Sequence, residues 1–496
     1  MSSENSKLHR ADGVRPMFRV GFVRNGQLCG RKMRQTPGAW CVQYGGWVAA
    51  GLACCSLLLT VRQAVAHPEL PGRPQEHPIA LVQGVIHTMS DGTIDEGSLL
   101  FIDGRIVAVG RQINIPDDAE RIELAGKHVY PGLFNTAGTL GLVEINAVRA
   151  TLDITETGDL NPNVRADTAI NPDSELIPVT RSNGVLLNLS APSGDLISGQ
   201  SAVFQLDGWT REDMTLLAPA AMHVRWPTVS TATRWWDAKA VAEQRKIREE
   251  QFARLEQAFE DAVAYGLARQ QLPKIPVDLR WEALLPVLRG EVPLLVDADR
   301  VDQIQAAVAF AVKRKLRLIV RGGYDAPYCA PLLRENHVPV IVPGTYRLPL
   351  RRSDPYDAAY TLPERLRQAN VKFCIAGSDR FDASNIRNLP YHAAMAVAFG
   401  LPRDEALKAI TLYPAQILGL DHQVGSLAAG KDATLFVIDG DPLEAERIVE
   451  KAYIQGREVS LVDRHKRLYH KYQEKLRRDP GDTVARPNQS SSAAAD

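Results

Sequence analysis

The stretch GSLLFIDGRIVAVG, residues 97–110, opens the argument, and ATLFVIDG, residues 433–440, answers it from the far end of the chain. In the first, Val- and Ile-rich runs flank Asp103-Gly104, which is a β-hairpin signal. Upstream, an apolar run over residues 79–89 leads to a turn at Asp91-Gly92, and downstream residues 121–135 read as a further strand ending at Asn135. After Ala415 the same short-strand rhythm returns, with residues 452–461 following a turn at Asp439-Gly440-Asp441-Pro442. The economical reading is one small β-domain assembled from both ends, with everything between them inserted.

The insert has a different period. Apolar runs at residues 185–190, 293–296, 316–320, 339–342 and 371–376 alternate with amphipathic stretches such as 238–267, 301–314 and 363–368. Such alternation predicts β/α units, and more than six of them suggest a closed barrel. The expected fold class is therefore α/β: a (β/α)8 TIM-like barrel inserted in a small composite β-sandwich. The expected boundaries are 67–129 and 416–462 for the two parts of the β-domain, 130–415 for the barrel, and 463–496 for a charged, fraying tail.

Composition narrows the function. Over 496 residues, 58 Lys+Arg balance 58 Asp+Glu, so nothing favours nucleic acid as a partner. Residues 1–44 carry eight basic residues and two acids. An uncharged apolar run from Val48 to Thr60 follows, and then Ala64-Val65-Ala66. That order reads as a signal peptide over residues 1–66, cleaved after Ala66, with an N-terminal membrane anchor as the alternative. Export to a periplasmic or extracellular location follows, with no stable membrane span after cleavage. Cys29, Cys41, Cys54 and Cys55 leave with the leader, and Cys329 and Cys374 remain. No Cys-x-x-Cys occurs, so neither a disulfide framework nor a zinc-thiolate site is expected.

GSLLFIDGRIVAVG, GKHVYPGLFNTAGTLGL (126–142) and EALKAITLYPAQILGLDHQVGSLAAGKDATLFVIDGDPLE (405–444) together resemble the end motifs of the metal-dependent amidohydrolase superfamily. The likeness is nearer to its imidazolonepropionase-like and dihydroorotase-like amidohydrolases, and it covers residues 79–461. It implies hydrolysis of non-peptide C–N bonds in cyclic amide-like substrates by water activated on a divalent metal such as zinc. It also implies where the metal ligands stand. The first barrel strand supplies two histidines spaced by two, but Ala137 and Thr139 occupy those positions and Asn135 replaces a nearby acid. VPLLVDADR puts Asp297 at a histidine position, and LRLIVRGGYDA puts Arg321 near another. Only the last barrel strand keeps its acid, Asp379, which the resemblance makes the metal-binding and proton-handling group. Lys274 has nothing about it of a carbamylated bridging lysine. Two aspartates fall short of the three convergent ligands a mononuclear site needs, so no cofactor is expected with the metal site in this degenerate state.

Other features have plainer readings. Residues 191–209 look like a Gly/Ser-rich loop at the barrel rim, which makes Ser198 and Gln200 substrate-contact candidates beside Asp297 and Arg321. Arg165, Asp173, Glu175 and Arg181 read as a helix with caps and ion pairs, and Trp235-Trp236 as a buried lead-in to a long helix. Three functions remain open: a hydrolase with a weak metal site, a non-catalytic small-molecule binder, or an envelope scaffold. The expected partner is a small-molecule ligand or substrate, and the sequence leaves room for a homo-oligomer.

Overall fold

The computed structural model describes residues 70–227, 241–272, 274–377 and 382–478. The leader, Trp235-Trp236, Asp379 and the end of the tail lie outside the described residues.

One eight-stranded sheet draws on both ends of the described chain. From the N-terminal side come β1 (Ile79–His87), β2 (Thr93–Ile102), β3 (Arg105–Gly110), β4 (Glu120–Glu123) and β5 (His128–Pro131). Far along the chain follow β14 (Leu435–Ile438), β15 (Val449–Ile454) and β16 (Arg457–Glu458). The order is β16-β15-β14-β5-β1-β2-β3, with β4 also on β1. β14 lies antiparallel on β5, so Phe436 faces Tyr130 across the seam. Leu81, Leu99, Phe101, Val129, Leu435 and Val437 share a core beneath it.

The second sheet holds the eight strands between: β6 (Leu133–Asn135), β7 (Val185–Ser190), β8 (Ile197–Gln205), β9 (Thr215–Arg225), β10 (Leu294–Ala298), β11 (Leu318–Gly322), β12 (Val340–Pro343) and β13 (Phe373–Ala376). They run in sequence order around a nearly closed barrel. Alternate residues fill its interior, among them Leu187, Leu189, Leu295, Ile319, Ile341 and Cys374. The others, such as Leu294, Val296, Leu318 and Val320, pack outward. Burial on both faces is why these strands read as unbroken apolar runs.

One expectation is corrected. Nearly half of the stretch read as a Gly/Ser-rich loop is β8, a nine-residue strand buried throughout and antiparallel to both β7 and β9. It takes the third place around the barrel, so β7, β8 and β9 form a meander rather than β/α units. Gly199 makes this strand possible, because its φ is +122° and a Cβ there would lie 2.6 Å from the Val164 carbonyl oxygen.

Asp207, just past β8, ties the barrel to the β-domain. Its buried carboxylate accepts hydrogen bonds from the Arg181 and Arg457 guanidiniums and from the Gly72 amide. Arg181, which ends the helix Leu176–Arg181, also donates to the carbonyls of Leu206 and Ser460. Arg165 pairs with Asp167, and Glu175 with Arg467; of the four candidates only Arg181 lies within the helix, and Glu175 at its N-cap makes no side-chain capping hydrogen bond.

Candidate functional site

Parallel strands carry their interior side chains to the C-terminal rim of the barrel, where a cavity of about 410 Å³ opens. Gly138, Thr139, Arg225, Asp297, Arg321, Pro343 and Asp382 are among the residues that line it. Strand register explains the meeting. Asp297 on β10 stands opposite Arg225 on β9 and Arg321 on β11, so three charged side chains share one rung.

Arg321 grips Asp297 with two parallel hydrogen bonds, Nε to Oδ1 at 2.5 Å and Nη2 to Oδ2 at 2.7 Å. Burial opposes ionisation of Asp297, but the charge and hydrogen bonds of Arg321 outweigh it and hold the carboxyl below the usual carboxylate range. Burial likewise disfavours the Arg321 cation, and Asp297 overcomes it, so the guanidinium is the more firmly charged of its kind. After Arg321 the chain must turn sharply against β10. Gly322 and Gly323, at φ +112° and +65°, allow this, and a Cβ on Gly323 would sit 2.4 Å from Val340 Cγ1.

The pair belongs to a series. The Arg347 guanidinium donates to Asp299 at 3.1 Å, and Arg351 pairs with Asp325. Both arginines lie in the loop after β12, so two further Arg–Asp contacts fasten that loop to the segments following β10 and β11. The Arg225 guanidinium differs, because it is exposed to the cavity and makes no hydrogen bond or ion pair among the described residues.

The first strand is organised by amides. Buried Asn135 donates through Nδ2 to the Ala137 carbonyl and to Asn188 Oδ1, both at 2.7 Å, and accepts from the Gly377 amide at 2.8 Å. Asn188 continues the chain to Ser190, whose hydroxyl donates to the Leu140 carbonyl. The residue at the acid position thus clamps the ends of β6, β7 and β13 together. Ala137 is buried in the barrel interior. The Thr139 hydroxyl donates to Asp382 at 2.7 Å.

Below the rim on β9, two residues from Arg225, stands His223. It is 3% exposed, and neither ring nitrogen has a hydrogen-bond partner among the described residues. Burial, assisted by the Arg321 charge and opposed by Asp297, pushes its pKa down to about 3. The imidazole is therefore neutral through the physiological range.

Zinc needs at least three convergent nitrogen, oxygen or sulfur donors. The donor set in the described rim does not fit: Ala137 offers none, the Thr139 hydroxyl is engaged, and both Asp297 oxygens face a cation. Among the described residues no group of three or more His, Cys, Asp or Glu side chains is placed to hold a metal. Asp379 falls outside the described residues, three positions before Asp382 in the sequence.

The site candidates from sequence divide accordingly. Asp297, Arg321 and Thr139 meet in the cavity, and Ala137 lies within the barrel core. Ser198 and Gln200 lie on β8 and do not line it; the Gln200 amide donates to the Pro162 carbonyl. Arg225, Arg347 and Arg351 carry no sequence signal of a site, because only strand register and loop closure place them.

The protein-family model described as Amidohydrolase family matches residues 358–460. The chain is 23% identical to "Amidohydrolase tasK" of Hapsidospora irregularis over 78% of its own length, and spans about two-fifths (41%) of that protein. It is 24% identical to an imidazolonepropionase of Mesorhizobium japonicum, covering 74% of this chain and 92% of that one. An amidohydrolase structure from Thermotoga maritima superposes with a TM-score of 0.68 at 25% identity, covering 77% of this chain and 99% of that one. With the barrel, the added β-domain and the paired end motifs, these likenesses all point to the amidohydrolase superfamily.

Proposed function

We propose that this protein is an exported amidohydrolase-fold protein whose barrel mouth binds a small anionic molecule without metal-assisted turnover. One observation carries the reading: the bidentate Asp297–Arg321 pair stands where the resemblance calls for metal ligands. A guanidinium at that place repels a divalent cation and occupies both oxygens of the Asp297 carboxylate. Arg225 supplies the ligand charge, since an exposed guanidinium in a cavity of about 410 Å³ suits a carboxylate in bidentate geometry. Export rests on the order of basic segment, apolar run and small-residue site over residues 1–66. The second reading, a working hydrolase of cyclic amides, has in its favour the 25% identity to the Thermotoga amidohydrolase.

Elemental analysis of protein purified without chelators, followed by thermal shift with a panel of small mono- and dicarboxylates, separates the two. The proposal expects far less than one metal ion per chain. It also expects a Tm rise with some carboxylate that Arg225→Ala abolishes, since ligand at a hundred times its Kd stabilises by about 2.7 kcal/mol. A stoichiometric transition metal, lost together with amide hydrolysis in Asp379→Ala, would overturn it in favour of the hydrolase.

A further inference from the structure

The described chain ends in the helix Arg464–Arg478, RHKRLYHKYQEKLRR, none of whose residues is buried. It holds seven Lys and Arg against a single acid, Glu474, although the whole chain is balanced at 58 and 58. The surplus is therefore local. The helix macrodipole accounts for Lys475, Arg477 and Arg478 in the last turn, where cations are favourable. It does not account for Arg464, Lys466 and Arg467 in the first turn, where the same field opposes them.

Residues advance about 100° each around the axis. Leu468, Tyr472 and Leu476 stand four apart on one line, with Tyr469 beside them. All four are exposed, Tyr469 at 61% and Leu476 at 58%. The partly covered side carries Lys466, Arg467, Gln473 and Glu474, on the opposite face, and Arg467 pins it to Glu175. The apolar stripe thus points away from the rest of the fold. Arg464, Lys471 and Lys475 flank it and have no acidic partner among the described residues, since Glu474 is taken by Arg477 and Arg478.

We propose that this helix docks the protein on an anionic lipid surface, lying in the interface plane with Leu468, Tyr469, Tyr472 and Leu476 inserted and the flanking cations at headgroup level. Charge complementarity selects an anionic surface, because seven cations on the helix face a single acid of its own. The apolar stripe selects lipid over a nucleic acid or an acidic polypeptide in water. A polyanion would satisfy the cations and leave two leucines hydrated, whereas an interfacial helix buries them and places the tyrosines with rings inward and hydroxyls in water. No residue of this helix lines the barrel-mouth cavity, and the proposal does not depend on what the mouth binds.

Flotation of the full chain with vesicles of neutral phosphatidylcholine, and with the same vesicles containing anionic phosphatidylglycerol, tests the assignment. Binding should be markedly stronger to the anionic vesicles and fall as salt is raised. Each cation near such a surface strengthens binding about fivefold, so Lys471→Glu with Lys475→Glu should weaken it more than tenfold. Leu468→Ser with Leu476→Ser, which leaves every charge in place, should weaken it comparably. Equal binding to both vesicle types, unchanged by either variant, would overturn the proposal and assign membrane contact to the N-terminal segment. Binding that the serine variant leaves intact would also overturn it, leaving a plain polyanion site that heparin should then compete for. So would a concentration-dependent dimer abolished by the serine variant, since the stripe would then belong to a second copy.

Discussion

Replacing His223 by leucine should make the protein less sensitive to acid. The imidazole lies in the barrel interior at 3% exposure with both nitrogens unpartnered among the described residues, and its pKa is pushed down to about 3 against 6.5 in the unfolded chain. A proton therefore binds the unfolded chain far better than the folded one. The contribution of His223 to stability is complete above pH 6.5 and is lost progressively as pH falls from 6.5 toward 3. At about 1.36 kcal/mol per pH unit, the loss reaches about 2 kcal/mol at pH 5. His87, pushed down to about 4 chiefly by burial and then by the charge of His128, acts in the same direction in parent and variant alike, so it cancels in their difference. A leucine side chain at this position cannot titrate, and the change removes two unpartnered ring nitrogens, so at pH 7.5 the variant should match or exceed the parent. Denaturant unfolding at several pH values from 5 to 8 measures both quantities. Equal acid slopes for parent and His223→Leu would refute the reasoning. A variant several kcal/mol weaker at pH 7.5 would refute it too, by showing that the imidazole is held by hydrogen bonds it cannot spare.

The remaining predictions concern charges. Asp207→Asn removes the carboxylate shared by the buried Arg181 guanidinium and Arg457 and should cost about 3–5 kcal/mol, read as a clear drop in Tm and in the denaturant midpoint. Asp297→Leu and Arg321→Leu should each destabilise by about 1–3 kcal/mol, less than a fully buried pair because both side chains keep a quarter to a third of their exposure, at 33% and 25%. The double variant should cost less than either single change, and additive costs would show that the two side chains act independently. Combining Ala137→His, Thr139→His, Asp297→His and Arg321→Ala rebuilds a convergent donor set and should yield about one zinc per chain by elemental analysis. Failure to take up zinc would mean that these rim positions do not converge as strand register implies.

What was legible in the sequence was whatever depended on local pattern. The run at residues 185–190 matches β7 residue for residue, and the periodic stretch at 301–314 matches its helix, because burial on both faces or one leaves a mark a few residues long. β8 was not legible. Ser198, Gly199, Gln200 and Ser201 have loop composition, and the strand is specified by partners on β7 and β9 that lie elsewhere in the chain. The rim failed for the same reason. Arg347 reaches Asp299 across 48 positions and Arg351 reaches Asp325 across 26, contacts that no periodicity announces. Asp297 and Arg321 were picked out singly, but their pairing required the register of two adjacent strands.

That register also shows how a site could change while the fold is kept. Ligand positions in a barrel lie at the ends of strands, beyond the layers that fill the interior, so their chemistry is separable from the packing below. At the positions the resemblance assigns to ligands the structure shows local interactions: Ala137 lies in the apolar interior, Thr139 binds Asp382, and Asp297 binds Arg321. Asn135 clamps the ends of three strands through its side-chain amide. A rim organised in this way keeps its shape through hydrogen bonds within the chain. The rebuilt four-residue variant should therefore gain zinc and lose thermal stability in its apo form, because it breaks the Arg321 and Thr139 contacts before any metal replaces them. An apo form as stable as the parent would show that the Asp297–Arg321 and Thr139–Asp382 contacts are not what holds the rim.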